Sequence, residues 1–575
     1  MSHRLGAWGK LVTFVASLAS ATIAHAQLVP PRDRAAARAE QGTGVIRGFV
    51  VDAITGEPLP RAVVQLIPMG ASLQTAPVLT DGDGQFEFRD LPAARYLLRA
   101  SRTPYLPITY GQRGQNTRGT PIELAASQRV EKIRIAISPA GVISGHVSDE
   151  FGFPAVGVEV RALQYRYENG QRQLSTVYSA GFGGGGSDDL GAFRIWGLQP
   201  GQYYVSAVPP AIQNFGPPTV VHTGPITTYF PNTADAAAAQ RISVESGRET
   251  GGVNITLVNG RLATLRGRAV TSTGEPFTGA SIMVTRQEVH DIRISGGGGV
   301  KPDGTFELSG IAAGQYLLMV RPMNARDDGT AEMARARVTV TGEDVDDILL
   351  VGSHGATLRG VITTDEGAMP PLKPSQMMVR VETAPEDRGP FGRRPPAVND
   401  DYSFEIKGLF GRGRIESHFA SMGLSPPGSA DSFWAVKAVY WRGQNVTTRY
   451  IDFDSSPTID DIEIVFSRRW AEVRGTVTDE RGQPVADAAF VVFPADESGW
   501  MPEARRVRPM RTTPEGTFRM PGLHQGEYLV AITGPIEPGR WQDPEYLRSL
   551  VERATRVSVL EGEKKIVNLR ISTAQ

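Results

Sequence analysis

The sequence predicts an all-β protein of five tandem antiparallel β-sandwich domains that follow a signal peptide. Three observations predict this. A set of three short motifs recurs five times in fixed order, apolar and polar residues alternate within each motif, and turn-forming residues separate the motifs. The 575 residues include 64 Gly and 41 Pro, a share well above the usual ~12%. The chain is therefore rich in turns, while its 40% hydrophobic content is sufficient for packed cores.

The first motif is a strand, a turn and a second strand. Its first copy reads GVIRGFVVDAITGEPLPRAVVQL from Gly44, and its period of two is typical of a strand with two different faces. Gly-Glu-Pro then forms a turn, because Gly permits positive φ and Pro fixes φ near −65°. One glycine is shared by all five copies: Gly48, Gly145, Gly267, Gly360 and Gly475.

The second motif is a hairpin that begins with Asp-Gly or Glu-Gly in three copies. Its turn Asp81-Gly82-Asp83-Gly84 is predicted to be of type I′. A Phe and then a Leu or Ile follow, and the copies next place Tyr96, Tyr203, Tyr316 and Tyr528. We expect these four to be corner tyrosines, each with a buried ring and a hydroxyl bonded to nearby backbone. Arg414 breaks the pattern in the fourth copy.

A third alternating run closes each copy, as in EKIRIAI from Glu131. Together the three motifs define the domain boundaries. The predicted segments are a signal peptide at 1–26, a linker at 27–43, and β-sandwich domains at 44–138, 139–260, 261–352, 353–467 (divergent) and 468–575.

The motif order V-x-G-x-V, G-x-P, D-G-x-F and L-x-x-G-x-Y resembles that of carboxypeptidase regulatory-like domains. The resemblance covers nearly all of residues 44–575 and is weakest in the fourth copy. It implies prealbumin-like, Ig-like sandwiches with a carbohydrate-binding-like fold. The family name records an accessory domain beside a zinc peptidase, so the resemblance does not by itself imply peptidase chemistry.

The N-terminus has the pattern of a Sec-type signal peptide. Arg4 and Lys10 precede a short apolar stretch, and Ala24-His25-Ala26 fits the cleavage rule. About 13 apolar residues are too few to span a ~30 Å hydrocarbon core. We therefore expect an exported mature chain without a transmembrane segment, located in the periplasm, on the cell surface or in the medium.

Composition excludes several function classes. The 60 basic residues are balanced by 61 acidic ones, so nucleic acid is not an expected partner. The absence of Cys excludes disulfides, thiolate metal sites and Cys nucleophiles.

Motif searches indicate no enzyme. His524-x-x-Glu527 matches half of a zinc peptidase ligand set, but no His follows it in the sequence. Asp81 and Asp83 have the alternate spacing of calcium ligands, yet an EF-hand loop needs further ligands. The sequence thus predicts no catalytic residue, no metal site and no cofactor. A peptidase or a hydrolase assembled from distant residues remains the enzymatic alternative.

Aromatic residues of the last two copies are the candidate binding residues. Aromatic side chains on the loops of a sandwich can stack on sugar rings, and burial beneath an insertion is the alternative. The candidates are Trp434, Tyr440, Trp441, Trp500 and Trp541.

The sequence therefore predicts an exported, non-catalytic binding or spacer protein of the bacterial cell envelope, extended as a semi-rigid rod. Its expected partner is an extracellular or periplasmic ligand, a polysaccharide or an envelope protein. One alternative is carbohydrate binding through the loop aromatics. A lesser alternative is an accessory role beside a peptidase or an outer-membrane transporter.

Overall fold

The structure is a computed structural model. It describes residues 42–69, 75–112, 119–168, 170–177, 186–210, 212–214, 222–286, 293–326, 328–367, 373–389, 397–419, 434–500, 506–534, 536–537 and 539–571. The predicted signal peptide and most of the linker lie outside the described residues. The strands group into five segments, which we call units 1 to 5, and each unit has its own cluster of buried apolar side chains.

Unit 1 consists of two sheets that share one apolar core. The first sheet has the strand order β4-β1-β8, and the second has β3-β2-β5-β6 with β7 also paired to β5. The strands are β1 (Gly44–Asp52), β2 (Val63–Met69), β3 (Val78–Leu79), β4 (Gln85–Leu91), β5 (Ala94–Ser101), β6 (Ile108–Thr109), β7 (Ile122–Leu124) and β8 (Arg129–Ile137).

Unit 2 repeats this arrangement, with β9 at the centre of its first sheet. The strands are β9 (Gly141–Ser148), β10 (Glu159–Glu168), β11 (Gln171–Thr176), β12 (Ala192–Leu198), β13 (Gly201–Val208), β14 (Ile212–Asn214), β15 (Thr223–Pro225), β16 (Thr228–Tyr229), β17 (Ile242–Val244), β18 (Glu249–Thr250) and β19 (Ile255–Thr256).

Unit 3 receives two strands from unit 2, since β14 pairs with β22 and β15 pairs with β20. Its two sheets are joined where β25 pairs with β26. The strands are β20 (Asn259–Val270), β21 (Ala280–Arg286), β22 (Arg293–Gly299), β23 (Thr305–Ala312), β24 (Gly314–Pro322), β25 (Met333–Val340) and β26 (Val345–Ser353).

Unit 4 has a larger first sheet, β29-β27-β34-β31-β32, and a smaller second sheet, β28-β30-β33. The strands are β27 (Ala356–Thr364), β28 (Met377–Thr383), β29 (Ser403–Leu409), β30 (Arg412–Phe419), β31 (Ala435–Trp441), β32 (Gln444–Asn445), β33 (Ile451–Asp452) and β34 (Thr458–Ser467).

Unit 5 adds an α-helix, α1 (Pro544–Leu550), to the two sheets. Asp543 caps the helix by accepting a bond from the Glu545 amide, and Leu547 and Leu550 pack on a second apolar cluster. The strands are β35 (Ala471–Thr478), β36 (Ala489–Pro494), β37 (Arg508–Arg511), β38 (Thr517–Leu523), β39 (Gly526–Thr533), β40 (Thr555–Val559), β41 (Lys564–Ile566) and β42 (Leu569–Arg570). The all-β class predicted from the sequence is confirmed.

One difference from the prediction recurs in each unit. The central strand of the first sheet pairs antiparallel with the hairpin strand but parallel with the closing strand, as β1 does with β4 and β8. The sheets are therefore mixed, where the sequence predicts antiparallel pairing throughout. The alternation of apolar residues specifies which face of a strand is buried, and it does not specify the direction of the neighbouring strand.

The shared glycine of the first motif is required by this parallel pairing. A Cβ added at Gly267 would lie 2.0 Å from the carbonyl oxygen of Ile348, and one at Gly475 would lie 1.8 Å from that of Val567. In unit 3 the carbonyl points inward at a bulge where Asp347 adopts φ of 59°. A side chain at the glycine position would separate the central strand from the closing strand.

The four corner tyrosines are confirmed. Each hydroxyl donates to the carbonyl oxygen four residues earlier in the chain, at 2.8 to 3.0 Å, and each ring is almost fully buried. The residues are Tyr96, Tyr203, Tyr316 and Tyr528. They fix the tight connection between the hairpin strand and the next strand, because ring and hydroxyl hold opposite sides of that turn.

The hairpin turn has a different geometry from the predicted one. The Gly84 amide donates to the Asp81 carbonyl at 3.1 Å and Gly84 has φ of 71°, while Gly82 and Asp83 are not in the left-handed region. A type I′ turn would need positive φ at both central residues. The prediction of type I′ is therefore wrong, and the one left-handed residue lies at the end of the turn.

The units also contact each other out of sequence. Arg172 of unit 2 forms an ion pair with Glu537 of unit 5 at 3.1 Å. A Cβ at Gly539 would lie 2.0 Å from the carbonyl oxygen of Tyr167, so the two backbones meet closely there. The predicted extended rod is therefore wrong: the chain turns back so that unit 5 touches unit 2.

Candidate binding cleft between units 4 and 5

Two of the five candidate aromatic residues are buried. Trp434 is 7% exposed and belongs to the core of unit 4. Trp500 is 2% exposed; its indole N–H donates to the Pro494 carbonyl at 2.7 Å and its ring packs edge-on against Phe493. Neither ring can stack on a ligand in this conformation. For these two residues the structure therefore supports burial, which the sequence analysis gave as the alternative to binding.

The other three candidates are partly exposed and belong to two different units. Tyr440 and Trp441 end strand β31 of unit 4, and the Arg442 guanidinium lies 5.9 Å from the Trp441 ring centre. Trp541 lies in the helical insertion of unit 5 and packs against its second apolar cluster. Sugar stacking by these three residues remains a prediction.

His524 and Glu527 do not form half of a zinc site. Glu527 pairs with Arg556 at 2.6 Å, while His524 packs edge-on against Trp470 at a centroid distance of 4.8 Å. Burial, with the nearby charges of Arg506 and Arg508, lowers the pKa of His524 to about 4. Among the described residues, no group of three or more His, Asp or Glu side chains is arranged to hold a metal ion.

The Asp81 carboxylate is likewise engaged within its own turn. One oxygen accepts hydrogen bonds from the backbone amides of Asp83 and Gln85 at 3.0 and 2.8 Å. These bonds are the ones that an Asx turn uses. The carboxylate therefore has a structural role in the hairpin.

The structure instead shows a cleft of about 470 Å³ between units 4 and 5, which lies within the usual size range of ligand sites. Sequence reasoning did not find this site. Its lining residues are Arg380, Arg414, Ile415, Glu416, Ser417, Val436, Val439, Thr447, Thr448, Arg506, Arg508, Gly522, Leu523, His524 and Tyr528.

Unit 4 contributes a buried arginine to one wall. Arg414 stands where the other four copies have the corner tyrosine, and it is 5% exposed. Its guanidinium bonds to Glu382, and to Glu416 at 3.0 Å. Arg380, on the neighbouring strand, also bonds to Glu416 at 2.8 Å. Glu416 thus lies between two arginines, and its carboxylate partly offsets the charge that burial of Arg414 would otherwise leave uncompensated.

Unit 5 contributes the facing arginines. Arg508 donates to the backbone carbonyls of Pro521 and Gly522 at 2.7 and 2.8 Å, which holds its guanidinium against the wall. Arg506, two residues earlier, is exposed. Arg508 begins β37, an edge strand of the second sheet of unit 5, and Arg506 precedes that strand by two residues.

An ion cluster fixes the two units on either side of the cleft. Lys437 of unit 4 lies 2.8 Å from Asp365 and 2.6 Å from Glu561 of unit 5. Burial alone would raise the pKa of Asp365, but its bonds to Lys437, Ser467 and Arg469 outweigh burial and lower it. Asp365 therefore remains charged at neutral pH, and the ion cluster joins the two units beside Trp470.

Residues 45–135, within unit 1, match the model of the carboxypeptidase regulatory-like domain. This confirms the sequence resemblance for unit 1. No curated protein matches the chain. In the described residues, no helix is both long and apolar enough to cross a membrane.

Solved structures that resemble parts of the chain include two pilins and a dioxygenase. The minor pilin GBS52 of Streptococcus agalactiae is 16% identical, with 37% of this chain and 95% of that chain covered and a TM-score of 0.20. The shaft pilin SpaA of Lactobacillus rhamnosus GG is 12% identical over 37% and 98%, with a TM-score of 0.15. The 3-chlorocatechol 1,2-dioxygenase of Rhodococcus opacus 1CP is 13% identical over 17% and 60%, with a TM-score of 0.12. These scores are too low for a conclusion about role.

Proposed function

We propose that the protein is an exported, non-catalytic binding and spacer protein of the bacterial cell envelope. Its five units are domains with separate apolar cores, at 44–138, 139–260, 261–352, 353–467 and 468–575, after removal of residues 1–26. The observation that carries the proposal is the recurrence of one sheet arrangement around five separate apolar cores. Stability supplied unit by unit suits a chain that positions binding surfaces rather than one that assembles a reactive centre.

The cleft between units 4 and 5 is the binding site in this proposal. It is built from two units, and domain interfaces are preferred places for ligand sites. Its lining histidine, His524, contacts Trp470 and has a lowered pKa, and the described residues hold no group of three or more His, Asp or Glu side chains arranged for a metal ion. In this proposal the cleft recognises its ligand noncovalently.

Two measurements on the full chain test the proposal. Mass spectrometry of protein from the fractionated native host should find a mature N-terminus at Gln27 in an exported fraction. Limited proteolysis should first release fragments that end near the proposed domain boundaries. Recovery of the chain in the cytoplasm with residues 1–26 attached, or cleavage scattered through the strands, would contradict it.

Carbohydrate binding through aromatic residues is the second candidate, favoured by the partial exposure of Trp441 and Trp541. Affinity gels of plant and bacterial polysaccharides should retard the protein, and Trp541→Ala should relieve the retardation. Trp196→Ala, at a partly exposed tryptophan of unit 2 outside this set, is the matched control. Equal mobility of all three proteins on every gel would remove this candidate.

A further inference from the structure

Two neighbouring turns of unit 2 expose large apolar side chains to solvent. The first turn joins β9 to β10, and the second precedes β12. Their exposed apolar side chains, each between 59% and 76% exposed, are Phe151, Phe153, Val156 and Leu190. The two turns are in contact, since a Cβ added at Gly191 would lie 3.3 Å from atoms of Pro154. We call these four side chains the unit 2 turn patch.

The fold does not require an apolar residue at the position of Phe153. The Asp149 amide donates to the Phe153 carbonyl at 2.8 Å, and this bond closes the first turn. In units 1, 3 and 5 the residue before the same proline accepts the equivalent bond at 2.8 to 2.9 Å, and these residues are Glu57, Glu275 and Gln483. A polar side chain therefore suits this turn, and an exposed Phe ring adds little to its stability.

Leu190 is a second apolar replacement in the same unit. The Gly191 amide donates to the Asp188 carbonyl at 3.0 Å and closes the hairpin turn. The equivalent bond forms in the other four units, where the residue that corresponds to Leu190 is acidic in every case: Asp83, Asp303, Asp401 and Glu515. Two adjoining turns of one unit thus carry apolar residues where the other units carry polar ones. Contiguous exposed apolar side chains of this kind mark interaction sites.

The charges beside the patch are negative. Residues 149–157 and 187–192 include no Lys, Arg or His. They include four carboxylates, those of Asp149, Glu150, Asp188 and Asp189. Among the described residues, no basic side chain forms an ion pair with any of the four. A partner with Lys or Arg next to its apolar side chains would complement this surface, whereas an anionic membrane would be repelled.

Two of these carboxylates also hold the tips of the turns in place. The Asp149 carboxylate accepts bonds from the Phe151 and Phe153 amides at 2.9 and 2.8 Å. The Asp188 carboxylate accepts bonds from the Leu190 and Ala192 amides at 3.0 and 2.7 Å. The apolar side chains are therefore presented on turns of fixed geometry, which lowers the entropy cost of binding.

An edge strand begins next to the patch. β12 starts at Ala192, two residues after Leu190, and within the described part of the chain it pairs only with β9. The N–H and C=O groups along its other edge are therefore open to pairing. An extended segment can add to such an edge, where main-chain bonds supply affinity and side-chain contacts supply specificity. This favours an extended segment over a folded surface as the occupant.

We propose that the unit 2 turn patch and the open edge of β12 bind an extended segment of a partner protein, in which large apolar residues are flanked by Lys or Arg. The apolar side chains cover the patch, and the basic side chains lie near the carboxylates of the two turns. The surface belongs to unit 2 and is separate from the cleft between units 4 and 5. Its role is therefore additional to the proposed function and does not depend on the cleft.

The test begins with a phage-displayed library of random segments of about 12 residues, panned on the full mature chain. The enriched segments should combine large apolar residues with Lys or Arg. The most enriched segment is then synthesised, and its dissociation constant is measured by fluorescence anisotropy for the parent and the variants. Raising the salt concentration should weaken its binding, because attraction between opposite charges contributes to it.

Three variants locate the site. Phe153→Glu installs the residue of units 1 and 3, and Leu190→Asp installs that of units 1, 3 and 4, so both should fold. Each should weaken binding about tenfold or more. Glu150→Lys reverses one charge beside the patch without altering an apolar side chain, and should weaken binding about fivefold. Leu560→Asp is the matched control and should bind like the parent, because Leu560 is 70% exposed in the connection between β40 and β41 of unit 5.

Three results with the peptides would overturn the inference. They are failure of the panning to enrich any segment, enrichment of segments that are acidic or lack apolar residues, and a loss of binding in Leu560→Asp equal to that in Phe153→Glu. Two other occupants are tested with the same variants. Phosphatidylcholine vesicles that sediment with the parent but not with Phe153→Glu would assign the patch to a membrane. A dimer in analytical ultracentrifugation that Phe153→Glu abolishes would assign it to a second copy of the chain. Either result would overturn the inference and leave the proposed function standing.

Discussion

Gly267→Ala tests the close packing at the centre of each first sheet. The new methyl group would lie 2.0 Å from the Ile348 carbonyl oxygen, where about 3.2 Å is needed, so β20 and β26 must separate by more than 1 Å. Overpacking costs about 1–3 kcal/mol, and each weakened ladder hydrogen bond adds about 1 kcal/mol. We expect the free energy of unfolding of unit 3 to fall by about 3 kcal/mol, which corresponds to a fall in Tm of about 12 °C or more for a domain of this size.

The assay is hydrogen–deuterium exchange of the full chain, followed on peptides from β20 and β26, with calorimetry alongside. Peptide resolution is needed because a chain of several units does not have a single Tm. Gly299→Ala is the matched control, since a Cβ there has no atom within 4 Å and the residue is exposed. The packing argument would be refuted if the β20 and β26 peptides were equally protected from hydrogen exchange in Gly267→Ala and in Gly299→Ala.

Three further predictions follow from buried or bridging groups. Thr512→Val should destabilise unit 5 by about 2 kcal/mol in urea unfolding. The reason is that the Thr512 hydroxyl accepts a bond from the Ala488 amide at 2.9 Å and donates to the Val485 carbonyl at 2.6 Å. Thr512→Ser keeps the hydroxyl and should behave like the parent, so equal stability of the two variants would contradict the argument. The pKa of His524 is about 4 in the folded protein and near 6.5 in the unfolded chain, so the unfolded chain binds a proton first as the pH falls. The free energy of unfolding should therefore decrease by on the order of 3 kcal/mol between pH 6.5 and pH 4. His524→Gln should lack this decrease, and parallel pH profiles of the parent and the variant would contradict the prediction. Glu537→Arg should open the contact with Arg172 and increase the radius of gyration measured by X-ray scattering. Adding Arg172→Glu reverses the ion pair and should restore the parent's radius. An unchanged radius in Glu537→Arg would mean that this contact does not hold unit 2 and unit 5 together.

The sequence predicted the features that depend on short-range spacing. Tyr316 could be assigned as a corner residue because its hydroxyl reaches only four residues back. The position of the Asp81 hairpin followed from its turn residues, but the turn type did not. The same Asp and Gly residues fit more than one turn, and the geometry of the flanking strands decides between them.

The features that depend on long-range packing could not be predicted. Trp500 resembles an exposed loop aromatic until the helix carrying Leu547 and Leu550 covers it. Arg414 was visible as a break in the repeat, and that break is the signal that could have led to the cleft. The cleft also needs residues of unit 5 such as Arg506 and Arg508, which lie about 90 positions away in the chain, where no periodicity links them to Arg414.

The contact between Arg172 and Glu537 also limits how this gene can change in length. Tandem arrays commonly gain or lose a repeat by recombination, because each repeat touches only its neighbours. Here units 3 and 4 lie in the chain between unit 2 and unit 5, whose surfaces are in contact. Deleting or duplicating unit 3 or unit 4 would therefore separate those two surfaces. The contact between unit 2 and unit 5 thus fixes the number of units between them, whereas unit 1 lies outside that interval.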